Sequence, residues 1–181
     1  MAEPPSVLEE TIVEIELHAA RAGWDRPPAL FALVDTAELA RREPTLARQL
    51  GLAGLAGTTI ESGTLTPIEQ EPLGTGPLDE TLARIAWPPE VLGAALVHEV
   101  LIVPPSAEQA RPPHADPVSW AAEHPERREI RLAVGVLRDG SRASALRVRA
   151  AQADPTAIDG VLVGPDLVPN LADALLETLT E

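Results

Sequence analysis

The sequence predicts an α+β fold, an antiparallel sheet that includes a long β-hairpin, packed by N- and C-terminal helices. Three observations predict it. Residues 129–149, EIRLAVGVLRDGSRASALRVR, read as two strands around a turn. Residues 91–103 form a β-branched apolar run that stops at a Pro pair. Both ends of the chain carry apolar residues at helical spacing.

The hairpin register follows from alternation. A two-residue Asp139-Gly140 turn would set Leu132 opposite Arg147 and Ile130 opposite Arg149. That mixes an apolar face with a charged one, which a period of two forbids. A three-residue loop, Arg138-Asp139-Gly140, with Gly140 left-handed in a G1 bulge, sets Leu132 against Leu146 and Ile130 against Val148. Glu129, Arg131, Arg147 and Arg149 then share the other face.

The remaining elements follow in order. Ser6 and Glu9 have capping-box spacing, and Leu8, Ile12, Ile15 and Ala19 form a helical stripe that Val13 and Leu17 widen. This helix ends near Gly23. After the DRPP break, ALFALVD reads as a buried strand. Asp35 and Glu38 cap TAELARRE, and Pro44 opens a short helix. Glycines at 51, 54 and 57 mark a mobile loop near 51–64, which LTPIEQEPLGTGP continues with a short edge strand. PLDETLARIAW is a helix that WPP terminates. VLGAALVHEVLIVPP is a long strand, and the stretch near 104–117 is a Pro-rich loop. Asp116 caps PVSWAAEHPE, with Pro117 at its first position. Residues 151–165 form a loop with one short strand. DLVPNLADALLETL closes the chain as a helix with a stripe of Val168, Leu171, Leu175 and Leu179. Strands near 93–103, 129–138 and 141–149 centre the sheet, that near 30–34 joins it, and both terminal helices are expected on one face. The 181 residues suit one domain.

Composition narrows the function. A hydrophobic content of 45% favours folding over disorder, and with 3 Trp, 1 Phe and no Tyr the core rests on Leu, Val, Ile and Ala. Without Cys there is no disulfide or thiolate metal site. A net charge of −14 disfavours nucleic acid as a partner. The acidic start MAEPPSVLEE lacks a signal pattern, and no apolar run approaches a membrane span, so a soluble, cytoplasmic protein is expected. All 14 basic residues are Arg, which fits a GC-rich genome.

Five groups of residues could carry chemistry. His98-Glu99 begins an H-E-x-x-H pattern, but position 102 is Ile, and neighbours in a strand point to opposite faces. One of the two is expected on the solvent face and the other at a strand edge or hydrogen-bonded inside. His114, Asp116 and His124 are zinc-compatible types, yet capping accounts for Asp116 and His124 adjoins a Pro. Glu69 and Glu71 would share a face if extended, as acid–base pairs do. Asp35 ends a buried strand, where catalytic acids occur, and also caps a helix. The hairpin places Arg131, Arg147 and Arg149 together, with Arg142 and Arg138 near the turn, a candidate site for a phosphate, a carboxylate or an acidic partner. The competing reading is a face neutralised by Glu129 and a covering acidic helix. No G-x-S-x-G or P-loop is present, and the G-T-G at 74–76 lacks a third Gly.

Several segments together, LVDTAEL (33–39), LTPIEQE (65–71), IAWPPEVLGAALVHEVLIVPP (85–105), VGVLRDG (134–140), LRVR (146–149) and DLVPNLADALLETL (166–179), resemble a family of uncharacterised actinobacterial proteins first catalogued from a propionibacterial genome. The resemblance implies a cytoplasmic α+β protein of one domain and brings no activity, cofactor or catalytic residue with it. The expected function is therefore a non-enzymatic binding or adaptor protein with a protein partner, and without a metal or cofactor. The alternative is an enzyme or sensor for a small anionic metabolite, anchored on Arg131, Arg147, Arg149 and Arg142.

Overall fold

The computed structural model describes residues 4–52, 63–149 and 160–180. Most of the 51–64 loop therefore lies outside the described residues.

One sheet organises the chain. Its strands are β1 (Ala29–Asp35), β2 (Leu65–Glu69), β3 (Val91–Ile102), β4 (Arg128–Leu137), β5 (Arg142–Val148) and β6 (Val161–Gly164). They lie in the order β2-β1-β3-β4-β5-β6, and every neighbouring pair is antiparallel. The β4–β5 hairpin has the three-residue loop. Ile130 faces Val148 and Leu132 faces Leu146. The Leu137 N–H donates to Ser141 O at 2.9 Å, and Gly140 takes φ +90°. That left-handed value closes the bulge at no steric cost for Gly.

The central strands are apolar on both faces, so each face needs its own cover. Helix α1 (Val7–Ala22) covers one, packing Leu8, Ile12 and Ile15 on Phe31, Leu33, Ala95, Ala133, Ala143 and Ala145. Helix α7 (Pro169–Glu177) covers the other, where Ala172, Leu175 and Leu179 meet Leu30, Leu96, Leu132, Val134 and Val136. The terminal helices thus lie on opposite faces rather than on one. The α1 face of β4 and β5 is built of small residues, which lets the helix seat closely. At Gly135, any Cβ would collide with the end of the Ile12 side chain.

The buried face of α1 is also rotated from the expected stripe. Thr11 and Glu16 are buried, whereas Leu17 is exposed. The reason lies opposite Glu16, where the sheet presents arginines.

Short helices complete the two layers. They are α2 (Thr36–Arg42), α3 (Pro44–Gln49), α4 (Leu78–Leu82), α5 (Pro105–Gln109) and α6 (Pro117–Glu123). The expected helix before Trp87 is only α4, and the Pro-rich loop contains α5, with Pro105 at its first turn. Asp35 caps α2 by accepting from the Glu38 N–H at 2.8 Å.

Candidate functional site

The arginine face of the hairpin lies under α1 and the turn that follows it. Arg131 in β4 and Arg147 in β5 are cross-strand partners. Two like charges in register are destabilising unless countered. Glu16 supplies the counter-charge from above: the Arg147 Nε and Nη2 donate to its two carboxylate oxygens at 2.5 and 2.8 Å. This bidentate geometry is the strong form of the pair. Glu16 also stands 3.8 Å from Arg131 Nη1, and both side chains are 1% exposed.

Glu99 holds the turn. Its Oε2 accepts from the Asp25 N–H at 2.8 Å and the Arg26 N–H at 3.2 Å, and its Oε1 accepts from Arg131 Nη2 at 3.1 Å. Asp25 has a left-handed φ of +64°, an uncommon state for a residue with a side chain. The turn lays the Trp24 ring over Arg131, with the guanidinium carbon 4.3 Å from the ring centroid, and 5.5 Å from Arg149. Arg149 bonds Glu129 and Asp25. Hydrogen bonds from its guanidinium to Glu129, then to Asp25, raise its pKa above the ordinary value.

Three guanidiniums (Arg131, Arg147, Arg149) therefore meet four carboxylates (Glu16, Asp25, Glu99, Glu129). The face is a closed charge network with a negative excess. Arg142 does not belong to it. It projects from the α7 face of β5 and pairs with Asp173 at 2.5 Å and Asp166 at 3.7 Å. Arg138 binds main-chain carbonyls of Trp87, Pro88, Val91 and Leu179, tying the strand β3 entry to the C-terminal helix.

Beside the network opens a cleft of about 360 Å³. Its apolar walls are Ala19 and Ala22 of α1, Pro27 and Pro28 of the turn, Phe31 of β1 and Val97 of β3. Glu99 and Arg131 line it too, and His18, Arg26, Glu69 and Gln70 contribute the other polar groups. Here the sheet edge at β2 and the last turns of α1 leave a gap. A cavity of this size and lining suits an apolar group.

The other sequence candidates lie apart. Glu69 pairs with Phe31 at the end of β2, and Glu71 falls beyond the strand, so the two do not form an extended pair. Asp116 caps α6, and hydrogen bonds from the Ser119 backbone and hydroxyl hold its carboxyl below the ordinary range. The His124 Nδ1 accepts from the Glu126 N–H at 3.1 Å. Among the described residues, no three His, Asp or Glu side chains gather as a metal-ligand group.

His98 and Glu99 do point to opposite faces, but neither faces open solvent. Glu99 enters the arginine network. His98 is half-buried on the α7 side, opposite Leu132, and its Nδ1 has no hydrogen-bond partner. Burial lowers its pKa from 6.5, and the neighbouring Glu99 opposes this only in part. The unfolded chain thus takes up this proton first. The contribution of neutral His98 is full above pH 6.5 and is lost as the pH falls towards the lower folded value. The expected loss below pH 6.5 has a slope of at most about 1.4 kcal/mol per pH unit for one proton. Urea unfolding of His98→Gln should show a flatter profile between pH 6.5 and 5; parallel profiles would contradict the assignment.

The family model described as PPA1309-like protein matches residues 8–180. The chain belongs to this family. The match runs from the first turn of α1 past the end of α7, so the network, the cleft and both helix layers fall within it. No curated protein and no solved structure matches. Among the described residues, no helix is long and apolar enough to cross a membrane.

Sequence reasoning missed Glu16, Trp24 and the pairing role of Glu99. For Glu16 a signal existed: it lies four residues after Ile12 and eight after Leu8, on the stripe itself. An acid there implies a cation across the interface.

Proposed function

We propose that this member of the PPA1309-like family is a non-enzymatic binding or adaptor protein of the actinobacterial cytoplasm, and that a protein partner engages the cleft between α1 and the β2 edge. The supporting observation is the cleft itself: apolar walls that include Phe31 and Val97, beside the paired charges of Arg131 and Glu99. Such a surface rewards insertion of an apolar side chain. Arg131 offers little to a small anion, because Glu99 and the Gly23 carbonyl hold its Nη2 and its Nη1 lies buried 3.8 Å from Glu16. The acidic surface favours a partner with basic residues around its apolar anchor.

Ala22→Trp tests this reading. Ala22 is exposed at the end of α1, so the new ring fills the cleft without entering the core. Tagged full-length protein is expected to capture a stoichiometric partner from lysate of its host. The variant is expected to keep the wild-type Tm and lose at least tenfold of the captured partner. Equal capture by the variant, or a wild-type protein that retains no partner above a tag-only control, contradicts the proposal.

A further inference from the structure

A second groove, of about 490 Å³, lies between the distal half of β3 and the helices α5 and α6, and shares only Glu99 with the lining of the α1 cleft. Its lining does not look like surface with no further use. Ile102 is 43% exposed, Val118 is 76% exposed, and Trp120 stands beside them. An exposed apolar patch joined to a cavity marks a contact surface. His98 contributes an imidazole whose Nδ1 is shielded from solvent yet lacks a partner, an arrangement that folding alone does not reward.

The charge at the groove identifies the class of ligand. Arg111 is half-buried, and its Nη1 donates a long hydrogen bond, 3.5 Å, to Ala115 O. Among the described residues, no carboxylate oxygen lies within 4.0 Å of its guanidinium nitrogens. Glu108, also at the groove, is exposed, so water and salt screen its charge more strongly. Glu99 also lines the groove, but Arg131 and the turn after α1 hold its carboxylate, and Asp116, near enough to feel the charge of Arg111, is exposed. The half-buried charge left without an ion-pair partner among the described residues is that of Arg111. Arg is suited to a planar carboxylate, which it can grip through two parallel hydrogen bonds.

We propose that this groove binds a small amphipathic monocarboxylate, with its apolar body against Ile102, Val118 and Trp120 and its carboxylate on Arg111. A polar substituent on the body meets the His98 imidazole. The volume lies within the range of small-molecule sites.

Decanoate is the probe, titrated into isotopically labelled full-length protein and followed by amide and Trp indole resonances. Saturable shifts are expected at residues 100–103 and at the Trp120 indole. 1-Decanol, with the same chain and no charge, is expected to bind at least tenfold more weakly. Arg111→Gln is expected to weaken decanoate about tenfold and leave decanol unchanged, with an otherwise superimposable spectrum. The absence of saturable shifts in this groove overturns the proposal. So does equal decanoate affinity in Arg111→Gln, which would leave only unspecific apolar contact. Shifts confined to the α1 cleft also overturn it.

Discussion

Glu16→Ala is expected to destabilise the protein by about 3–5 kcal/mol, the cost of leaving buried charge without its counter-charge. The carboxylate bridges Arg147 and neighbours Arg131, and water cannot replace it at a position 1% exposed. Because such a loss rivals the total stability of many domains, the variant is best compared in urea at low temperature. The contrasting variant replaces Glu16 and Arg147 together with Leu and Met and leaves Arg131 on Glu99 and the Gly23 carbonyl. Removing both members of the bidentate pair also removes their desolvation cost, so that variant is expected to lose far less than Glu16→Ala. If Glu16→Ala unfolds at the wild-type urea midpoint, the guanidiniums are solvated and the network is not internal.

Gly93→Ala is the second large effect, expected to cost about 3 kcal/mol, at the upper end for overpacking. Gly93 lies between Leu33 of β1 and Leu137 of β4, next to a register shift in the β1–β3 ladder. A Cβ there would run into the Val136 carbonyl and come within 2.6 Å of Leu137 Cδ2. The carbonyl belongs to the neighbouring strand and cannot step aside as a side chain can. Gly135→Ala meets only the end of the Ile12 side chain, so it should cost less. The position matters to the site because β3 register decides which face carries Glu99. A slip of one residue would turn Glu99 away from Arg131 and bring His98 under α1. Equal urea midpoints for Gly93→Ala and wild type would show that the ladder can open there.

These two residues mark the boundary of what the sequence makes legible. The hairpin was readable because its evidence is local: alternation on two adjacent strands and one Gly in the loop. The caps at Ser6, Asp35 and Asp116 were readable for the same reason. The placement of α1 and α7 was not, because the face each helix takes depends on crossovers between distant elements. Both faces of β3 are apolar, so its pattern assigns neither helix to a side. The arginine cluster was read as a face, and Arg131, Arg147 and Arg149 do share one. Grouping Arg142 with them failed on parity alone: it is an odd number of residues from Arg147 and so points to α7. The cleft is invisible in the sequence, since its lining comes from four strands, a helix and a turn that only the fold brings together. Trp24 belongs to the same class, because a left-handed Asp25 cannot be foreseen from a stretch that reads simply as a break.

The central claim is that the hairpin arginines are bound within the fold, beside the apolar cleft that we propose a partner engages. A double-mutant cycle between Glu16 and Arg147, read by urea unfolding, tests it most directly. Each residue is replaced by Ala, alone and together. The account predicts a coupling of about 2–3 kcal/mol, with the double variant far less destabilised than the sum of the single ones. Additive losses, within about 0.3 kcal/mol, would contradict it and return the arginine face to the role of an open site for anions.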